Sequence, residues 1–166
     1  MTDYSTIRPL EAGDIPAILA LFDAVAAEGR WIGTEPGYNR TTKAGFIEIA
    51  LLEPERAVAF VALDARGALV GQIAAFRDAD DGRWDMGMLI LQPYRGKGIG
   101  RQLLSTLLAW ARHASIASIS LEAFPHNVSA IGLYSKFGFT QVAYHEKRWL
   151  RASGERWDTI EMRLAL

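Results

Sequence analysis

Residues 95–101, Arg-Gly-Lys-Gly-Ile-Gly-Arg, combine three glycines with three basic side chains. Glycine lets the backbone adopt positive φ, and it lets a ligand approach where a Cβ would otherwise stand. The N–H groups of such a loop, and of a helix turn that follows it, are unpaired, and the helix dipole adds about half a positive charge there. The pattern predicts a polyphosphate site surrounded by the charges of Arg95, Lys97 and Arg101.

The alternative for this loop is a tight turn that only reverses the chain. Two known phosphate loops are excluded: no Gly-Lys-Ser/Thr is present for the Walker type, and the loop is too short and too late in the chain for a dinucleotide-binding βαβ opening. On the loop alone, the turn and the phosphate site both stay open.

The loop joins a predicted strand to a predicted helix. Residues 86–91 are an apolar run typical of a sheet covered on both faces, and Pro93 cannot donate to a ladder, so the strand ends before it. After the loop, apolar side chains recur at helical spacing, at Ile99, Leu103, Leu104, Leu107, Leu108, Trp110 and Ala111. We therefore expect a helix that packs on the sheet.

Composition limits the classes of function. The 166 residues fit one domain spanning 1–166. A net charge of −1 with scattered Lys and Arg gives no basic footprint for nucleic acid. The absence of cysteine excludes disulfides, thiolate nucleophiles and zinc thiolate sites, and three scattered histidines predict no metal site. The N-terminus lacks export-signal features and no apolar run approaches roughly 18 residues, so we expect a cytoplasmic protein without membrane contact.

The periodicity of the chain predicts seven strands and four helices. The strands are expected at residues 7–10, 57–63, 69–76, 86–91, 116–124, 141–150 and 157–164. The helices are expected at residues 14–29, 42–53, after the glycine loop, and from Asn127 to a stop at Gly138. Short turns make strands two to four antiparallel, whereas the helix after the glycine loop makes strands four and five parallel.

Two motifs in this chain resemble those of the GCN5-related N-acetyltransferases (GNAT), which move an acetyl group from acetyl-coenzyme A (acetyl-CoA) to an amine. Residues 95–100 match the family's Gln/Arg-x-x-Gly-x-Gly/Ala loop. Residues 127–139, Asn-Val-Ser-Ala-Ile-Gly-Leu-Tyr-Ser-Lys-Phe-Gly-Phe, match its Asn-x-x-Ala-x-x-Leu-Tyr-x-x-x-Gly-Phe helix. Both occur in the family's order with one strand between them.

The resemblance implies an α/β fold class with a mixed α+β sheet, the GNAT acyl-CoA N-acyltransferase fold, splayed between strands four and five. Acetyl-CoA would lie in the gap as co-substrate, without a metal. An amide near Leu91 would hold the thioester oxygen, and the diphosphate would rest on the loop. The residues assigned to the cofactor are Leu89, Leu91, Arg95, Gly96, Lys97, Gly98, Ile99, Gly100 and Asn127.

The resemblance also assigns Tyr134 as the acid that protonates the departing thiolate. A thiol pKa near about 8.5 and a tyrosine pKa of about 10 make that transfer reasonable. Glu122, on the polar face of the fifth strand, is the predicted base. The alternatives are a purely structural Tyr134 on a buried helix face and a solvated Glu122, and weaker bases are Asp85, Glu35 and His126.

The expected function is acetyl transfer to a primary amine by direct attack in a ternary complex, and the alternative is a non-catalytic acyl-CoA-binding sensor. The acceptor is either a small-molecule amine or amino acid, or a protein N-terminal α-amine, whose lower pKa makes deprotonation easier. Trp31, Glu35 and Tyr38 are predicted to contact it. Trp149 and Trp157 in the tail leave a homodimer possible.

Overall fold

The computed structural model describes residues 6–166. Its sheet has seven strands: β1 (Thr6–Pro9), β2 (Ala57–Leu63), β3 (Leu69–Arg77), β4 (Trp84–Ile90), β5 (Ser118–Ala123), β6 (Thr140–Leu150) and β7 (Arg156–Ala165). The spatial order is β1-β2-β3-β4-β5-β7-β6. Every neighbouring pair is antiparallel except β4 and β5, which run parallel.

Four α-helices cover the sheet: α1 (Ile15–Ala27), α2 (Arg40–Leu52), α3 (Ile99–His113) and α4 (Val128–Lys136). The predicted mixed sheet, its parallel pair and its helix count are confirmed. Helix α2 begins two residues earlier than predicted because the Asn39 side chain caps it, accepting a hydrogen bond from the Thr42 amide at 2.9 Å. Helix α4 is capped by Asn127 and followed by Gly138 at φ 94°, as predicted.

Helix α3 is the main packing element on one face of the sheet. Its apolar stripe, formed by Ile99, Leu103, Leu104, Leu107, Leu108 and Ala111, is buried in the larger core cluster. Helices α1 and α2 cover the opposite face, where Ile18 and Ile47 pack with Val61 and Ala74 in a second cluster. The glycine loop therefore leads into a helix that is fixed along its length.

Strands β4 and β5 are joined only at the start of β4. Trp84 pairs with Ile119 and Asp85 with Ser120, and no later residues of these strands are in register. From Met86 onward, the side of β4 away from β3 has no strand partner. The predicted splay between the fourth and fifth strands is confirmed.

Within residues 6–166, no helix has the length and apolar character needed to cross a bilayer.

Candidate active site

The glycine loop enters α3 through two left-handed residues. Gly96 has φ 72° and Gly98, the N-cap of α3, has φ 85°. Gly100 differs from the prediction, because it lies inside the helix without positive φ. A Cβ on Gly100 would stand 3.2 Å from Leu133 Cδ2 and 3.3 Å from Ile90 Cδ1. The third glycine therefore permits close packing of α3 against α4 and β4.

The side chain of Arg95 is held by protein groups at the start of this loop. Its Nε donates to the Ile90 carbonyl at 2.8 Å, and its two terminal nitrogens donate to the carboxylate oxygens of Glu28 at 2.7 and 2.6 Å. Glu28 also accepts a hydrogen bond from Trp31 Nε1 at 2.7 Å. The Arg95 guanidinium lowers the pKa of the Glu28 carboxyl, so this bidentate pair stays charged at neutral pH.

The backbone of β4 that faces the gap belongs to other residues than predicted. The Leu91 amide donates to the Val70 carbonyl of the β3 side at 2.9 Å. Because successive residues of a strand direct their N–H and C=O groups to opposite sides, Leu89 also faces β3, whereas Met88 and Ile90 face the gap. The Leu91 amide is therefore directed at β3, and Met88 and Ile90 are the residues near Leu89 and Leu91 whose backbone groups face the gap.

The gap beside the glycine loop is a cavity of about 590 Å³, here called the glycine-loop cavity. Its walls include Met88, Leu89 and Ile90 of β4, Arg95, Gly96, Gly98 and Gly100 of the loop, and Asn127, Gly132, Leu133 and Tyr134 around α4. Two other predicted residues lie elsewhere: Ile99 is buried in the core and Lys97 Nζ lies 5.6 Å from the Tyr94 ring centroid.

Helix α4 carries the two predicted residues nearest the middle of the gap. Asn127 Oδ1 accepts from the Ala130 amide at 3.4 Å, which fixes the first turn of the helix. About two turns after Asn127, Tyr134 is 6% exposed, and burial raises its pKa to about 12. Across residues 6–166 no hydrogen-bond partner is found for the Tyr134 hydroxyl, which therefore stays protonated and available to a ligand.

A second cavity of about 510 Å³ adjoins the first, and we call it the Glu122 cavity. Trp31, Leu89, Asn127 and Tyr134 line both cavities. Glu122 lines only the second, where its carboxylate forms an ion pair with Arg148 at 3.0 Å. Tyr134 thus stands at the junction of a cavity that begins at the glycine loop and one that holds carboxylates.

Asp85 and Thr159 are further polar residues of the Glu122 cavity. Burial raises the pKa of the Asp85 carboxyl, against the opposing effect of Arg83, whose Nε lies 3.4 Å from Asp85 Oδ2. Thr159 is 2% exposed, and its Oγ1 has no hydrogen-bond partner in the described part of the chain. A buried hydroxyl of this kind is available to a water or a substrate atom.

The loop between α1 and α2, residues 28–39, is tied across the gap to the far side of the sheet. Arg151, between β6 and β7, donates to the Ile32 carbonyl at 3.0 Å and pairs with Glu35 at 3.3 Å. His126 Nε2 lies 2.7 Å from the Arg30 carbonyl oxygen. This loop therefore forms one wall of the Glu122 cavity, and its residues Trp31 and Ile32 line both cavities.

Glu35 and Tyr38 lie in a neighbouring groove of the same loop and do not line the Glu122 cavity. The Glu35 carboxylate accepts from the Ala152 amide at 2.8 Å in addition to its pair with Arg151, and the Tyr38 hydroxyl donates to the Leu19 carbonyl at 3.2 Å. The structure brings Trp31, Glu122, Asn127 and Tyr134 together. Glu35 and Tyr38 instead form contacts that attach the loop to the rest of the protein.

Sequence reasoning missed two contributors to the site, Glu28 and Arg148, whereas the turn from Arg151 to Arg156 was expected to shape the acceptor site. Glu28 and Arg148 each act through a partner far away in sequence, so no local pattern marks them.

The chain matches the model of the Acetyltransferase (GNAT) family over residues 20–139. This match covers most of the chain and includes both motifs, the parallel pair and the gap. The protein belongs to the GNAT acetyltransferase family.

Individual relatives cover the chain to different extents. It is 31% identical over 61 residues to the uncharacterized N-acetyltransferase YobR of Bacillus subtilis, a match that spans 37% of this chain and 25% of YobR. It is 27% identical over 161 residues to the L-methionine sulfoximine/L-methionine sulfone acetyltransferase of Pseudomonas aeruginosa, spanning 88% of this chain and 90% of that protein.

Among solved structures, the fold is similar to that of a phosphinothricin acetyltransferase from Sinorhizobium meliloti in complex with acetyl-CoA. The TM-score is 0.82 at 24% identity, with 100% of this chain and 89% of that chain covered. At this identity the likeness supports the fold.

Proposed function

We propose that this protein transfers an acetyl group from acetyl-CoA to a primary amine by direct attack in a ternary complex. The observation that carries the proposal is the position of Tyr134. Tyr134 lines both the glycine-loop cavity and the Glu122 cavity, and its protonated hydroxyl has no protein partner among residues 6–166. A thioester entering from one side and an amine entering from the other would meet beside it.

The glycine-loop cavity fits acetyl-CoA. The amides of the loop and of the first turn of α3 would bind the diphosphate, aided by the helix dipole and by Arg101 at the cavity wall. The gap-facing backbone of Met88 and the N–H of Ile90, whose carbonyl is bound by Arg95, would pair with the amide-bearing arm of the cofactor, as a neighbouring strand would. Acetyl-CoA supplies the thioester that the amine attacks.

Tyr134 would give its proton to the departing thiolate. A pKa of about 12 makes tyrosine a weaker acid than usual, but it keeps the proton in place throughout the neutral range. The same burial raises the pKa of a thiol formed beside it, which offsets part of the increase in the tyrosine pKa. The proton released by the amine is taken up on the opposite side of the reacting carbon.

Two carboxylates of the Glu122 cavity compete for that role. Glu122 is the base we propose, since it lines the cavity and has Arg148 to stabilise the charge of its carboxylate. Asp85 is the competitor, because a carboxyl with a raised pKa binds a proton more readily. The pH profiles of Glu122→Gln and Asp85→Asn distinguish the two candidate bases. Replacing the residue that acts as the base should abolish the fall in kcat/KM at acidic pH.

The acceptor class we propose is a small-molecule amine. Relatives named for methionine sulfoximine and for phosphinothricin support a small acceptor over a protein N-terminus. The loop of residues 28–39 also supports it, because this loop, tied to Arg151 and His126, forms one wall of a cavity of about 510 Å³ that Tyr134 also lines. A cavity of this size suits a compact ligand.

Release of free thiol from acetyl-CoA across a panel of amines tests the function. We expect turnover with one class of amine, and a loss of about 100-fold or more in kcat for Tyr134→Phe with unchanged acetyl-CoA affinity. Equal turnover by Tyr134→Phe would remove its role as acid. Acetyl-CoA binding with no thiol release from any amine would support the non-catalytic sensor instead.

A further inference from the structure

A third cavity of about 370 Å³ lies on the face of the sheet covered by α1 and α2. We call it the Lys43 cavity, and its walls come from the two helices and from β3 and β4. Phe22, Phe46 and Phe76 supply apolar surface, whereas Lys43 and Gln72 supply polar groups. The mechanism above uses none of these five side chains.

The cavity exists because two small residues face each other across the sheet. Ala74 of β3 is in register with Gly87 of β4, between the larger pairs Gln72–Leu89 and Phe76–Asp85. A Cβ on Gly87 would meet no heavy atom within 4 Å. The sheet surface is therefore hollow at this pair, with Gln72 at one end and Asp85 at the other.

Gln72 is a buried amide that the protein does not satisfy. It is 4% exposed, and its Oε1 has no hydrogen-bond partner among residues 6–166. Leaving a buried polar atom unpaired is costly, so such atoms in folded proteins are normally met by water or a ligand. Its amide therefore offers both a donor and an acceptor to whatever enters the Lys43 cavity.

Lys43 is a half-buried cation with no anionic partner. Its Nζ donates to Thr34 Oγ1 at 3.2 Å and lies 4.5 Å from the Phe22 ring centroid, and in the described chain no carboxylate forms an ion pair with it. Burial lowers its pKa accordingly. Two other cations line the cavity: Arg56 is paired with Glu53 at 2.6 Å, and Arg77 is exposed to solvent. Lys43 is thus the group that an incoming anion would stabilise most.

The Lys43 cavity adjoins the Glu122 cavity. Phe22, Gly87 and Leu89 line both cavities. Asp85, which lies two residues before Gly87 on β4, lines the Glu122 cavity and not the Lys43 cavity. A molecule whose amine lies near Tyr134 can extend over the hollow at Gly87 toward Lys43. Its middle part would contact Phe22 and Leu89, which are apolar.

We propose that the Lys43 cavity binds the far end of the acceptor, and that the acceptor is an amine carrying a carboxylate or similar anion beyond an apolar segment. Lys43 is the counterion of that anion and the Gln72 amide is its hydrogen-bonding partner. This inference rests on the proposed acetyl transfer and specifies its substrate class.

A series of linear ω-amino carboxylates, each matched with the n-alkylamine of equal chain length, tests the proposal. At the best chain length we expect kcat/KM from thiol release to favour the carboxylate by about 10-fold to 100-fold, as for one charge-assisted hydrogen bond. In Lys43→Met this ratio should fall to about one while alkylamine turnover is kept. The proposal is overturned if the ratio is unchanged in Lys43→Met, or if the wild type shows no preference for the carboxylate.

Charge reversal gives a second measurement that does not depend on a loss. Lys43→Glu should shift the preference from ω-amino carboxylates to α,ω-diamines of the same length. Arg112→Met, which removes an exposed cation on α3 across the sheet, is the matched control and should keep the wild-type ratio. If thermal unfolding shows that Lys43→Glu is folded and the variant still prefers carboxylates, the inference is contradicted.

Calorimetric binding of the same ω-amino carboxylates in the presence of CoA separates this inference from the proposed function. Lys43-dependent binding without thiol release from any amine would retain the Lys43 site and reject the transferase. Thiol release with equal turnover of carboxylates and alkylamines would retain the transferase and reject the Lys43 site.

Discussion

The guanidinium of Arg151 lies 4.2 Å from the centre of the Trp157 ring, so that a cation is stacked on an indole under the loop of residues 28–39. Only 3% of the Arg151 side chain is exposed, yet its nitrogens reach the Ile32 carbonyl and the Glu35 carboxylate. This arginine joins the β6–β7 turn to the loop that lines the Glu122 cavity. Its planar fork and its aromatic stacking are properties that lysine lacks.

Arg151→Met should loosen that loop. We expect a loss of about 2 to 4 kcal/mol in the free energy of unfolding, because a buried cation with several partners is removed. Amide hydrogen exchange of residues 29–35 should accelerate more than that of α3. Arg156→Met, which removes an exposed arginine at the start of β7, is the control and should change neither quantity by much. Unchanged exchange in residues 29–35 would show that the loop is held by other contacts.

Gly132→Ala should separate stability from cofactor affinity. Gly132 lies in α4 and lines the glycine-loop cavity, and a Cβ there would meet no protein atom within 4 Å. Alanine in a helix is favoured over glycine by about 1 kcal/mol, so the melting temperature should rise. The new methyl group enters the cavity, so acetyl-CoA affinity should fall in calorimetry.

Gly100→Ala is the comparison for that variant. Its methyl group would press on Leu133 and Ile90, so it should lower stability by about 1 to 3 kcal/mol. If both variants changed stability in the same direction, the distinction between an open and a packed glycine would be incorrect.

Asn127→Asp should test whether the Asn127 amide contacts the cofactor. Aspartate keeps the side-chain oxygen that caps α4, so the free energy of unfolding should change by less than about 0.5 kcal/mol. It loses the amide donor and adds a negative charge beside the proposed CoA site, so acetyl-CoA affinity should fall by about tenfold or more. Asn127→Ala is expected to lose both the cap and the contact. Wild-type affinity in Asn127→Asp would leave the residue with its capping role only.

The buried hydroxyl of Tyr134 predicts a loss of stability in alkali. Its pKa of about 12 in the folded protein exceeds the value of about 10 expected in the unfolded chain. Above pH 10 the unfolded state releases this proton first, so the stability contributed by the neutral hydroxyl declines as pH rises toward 12. The free energy of unfolding of the wild type, measured with urea, should fall by about 2 to 3 kcal/mol relative to that of Tyr134→Phe over that range. Parallel curves would mean that the hydroxyl is solvated.

Most of the fold follows from local sequence signals. Helix α3 was predictable because its apolar residues form one stripe, and α4 because Asn127 and Gly138 mark its two ends. The parallel β4–β5 pair followed from the helix between them. These features depend on residues within a few turns of each other, where propensity and periodicity act directly.

The site was predictable only in part, because its details depend on strand parity and on distant partners. A shift of one residue in the register of β4 decides whether the backbone groups of Leu89 and Leu91 or those of Met88 and Ile90 face the gap. The apolar run does not indicate which pair faces β3. The hollow at Gly87 arises from its register with Ala74, which no motif contains. Such pairings become visible only when the strands are placed side by side.

The short pairing of β4 with β5 also bears on how the chain assembles. Strands β2, β3 and β4 join through neighbouring hairpins, and β6 and β7 form another, so each half of the sheet can form from contacts close in sequence. Only two residue pairs connect the halves along the ladder. The association of the two halves then depends on α3 and on the contacts of Arg151. We therefore expect the Arg151 contacts to form late in folding, so that removing them should speed unfolding more than it slows folding.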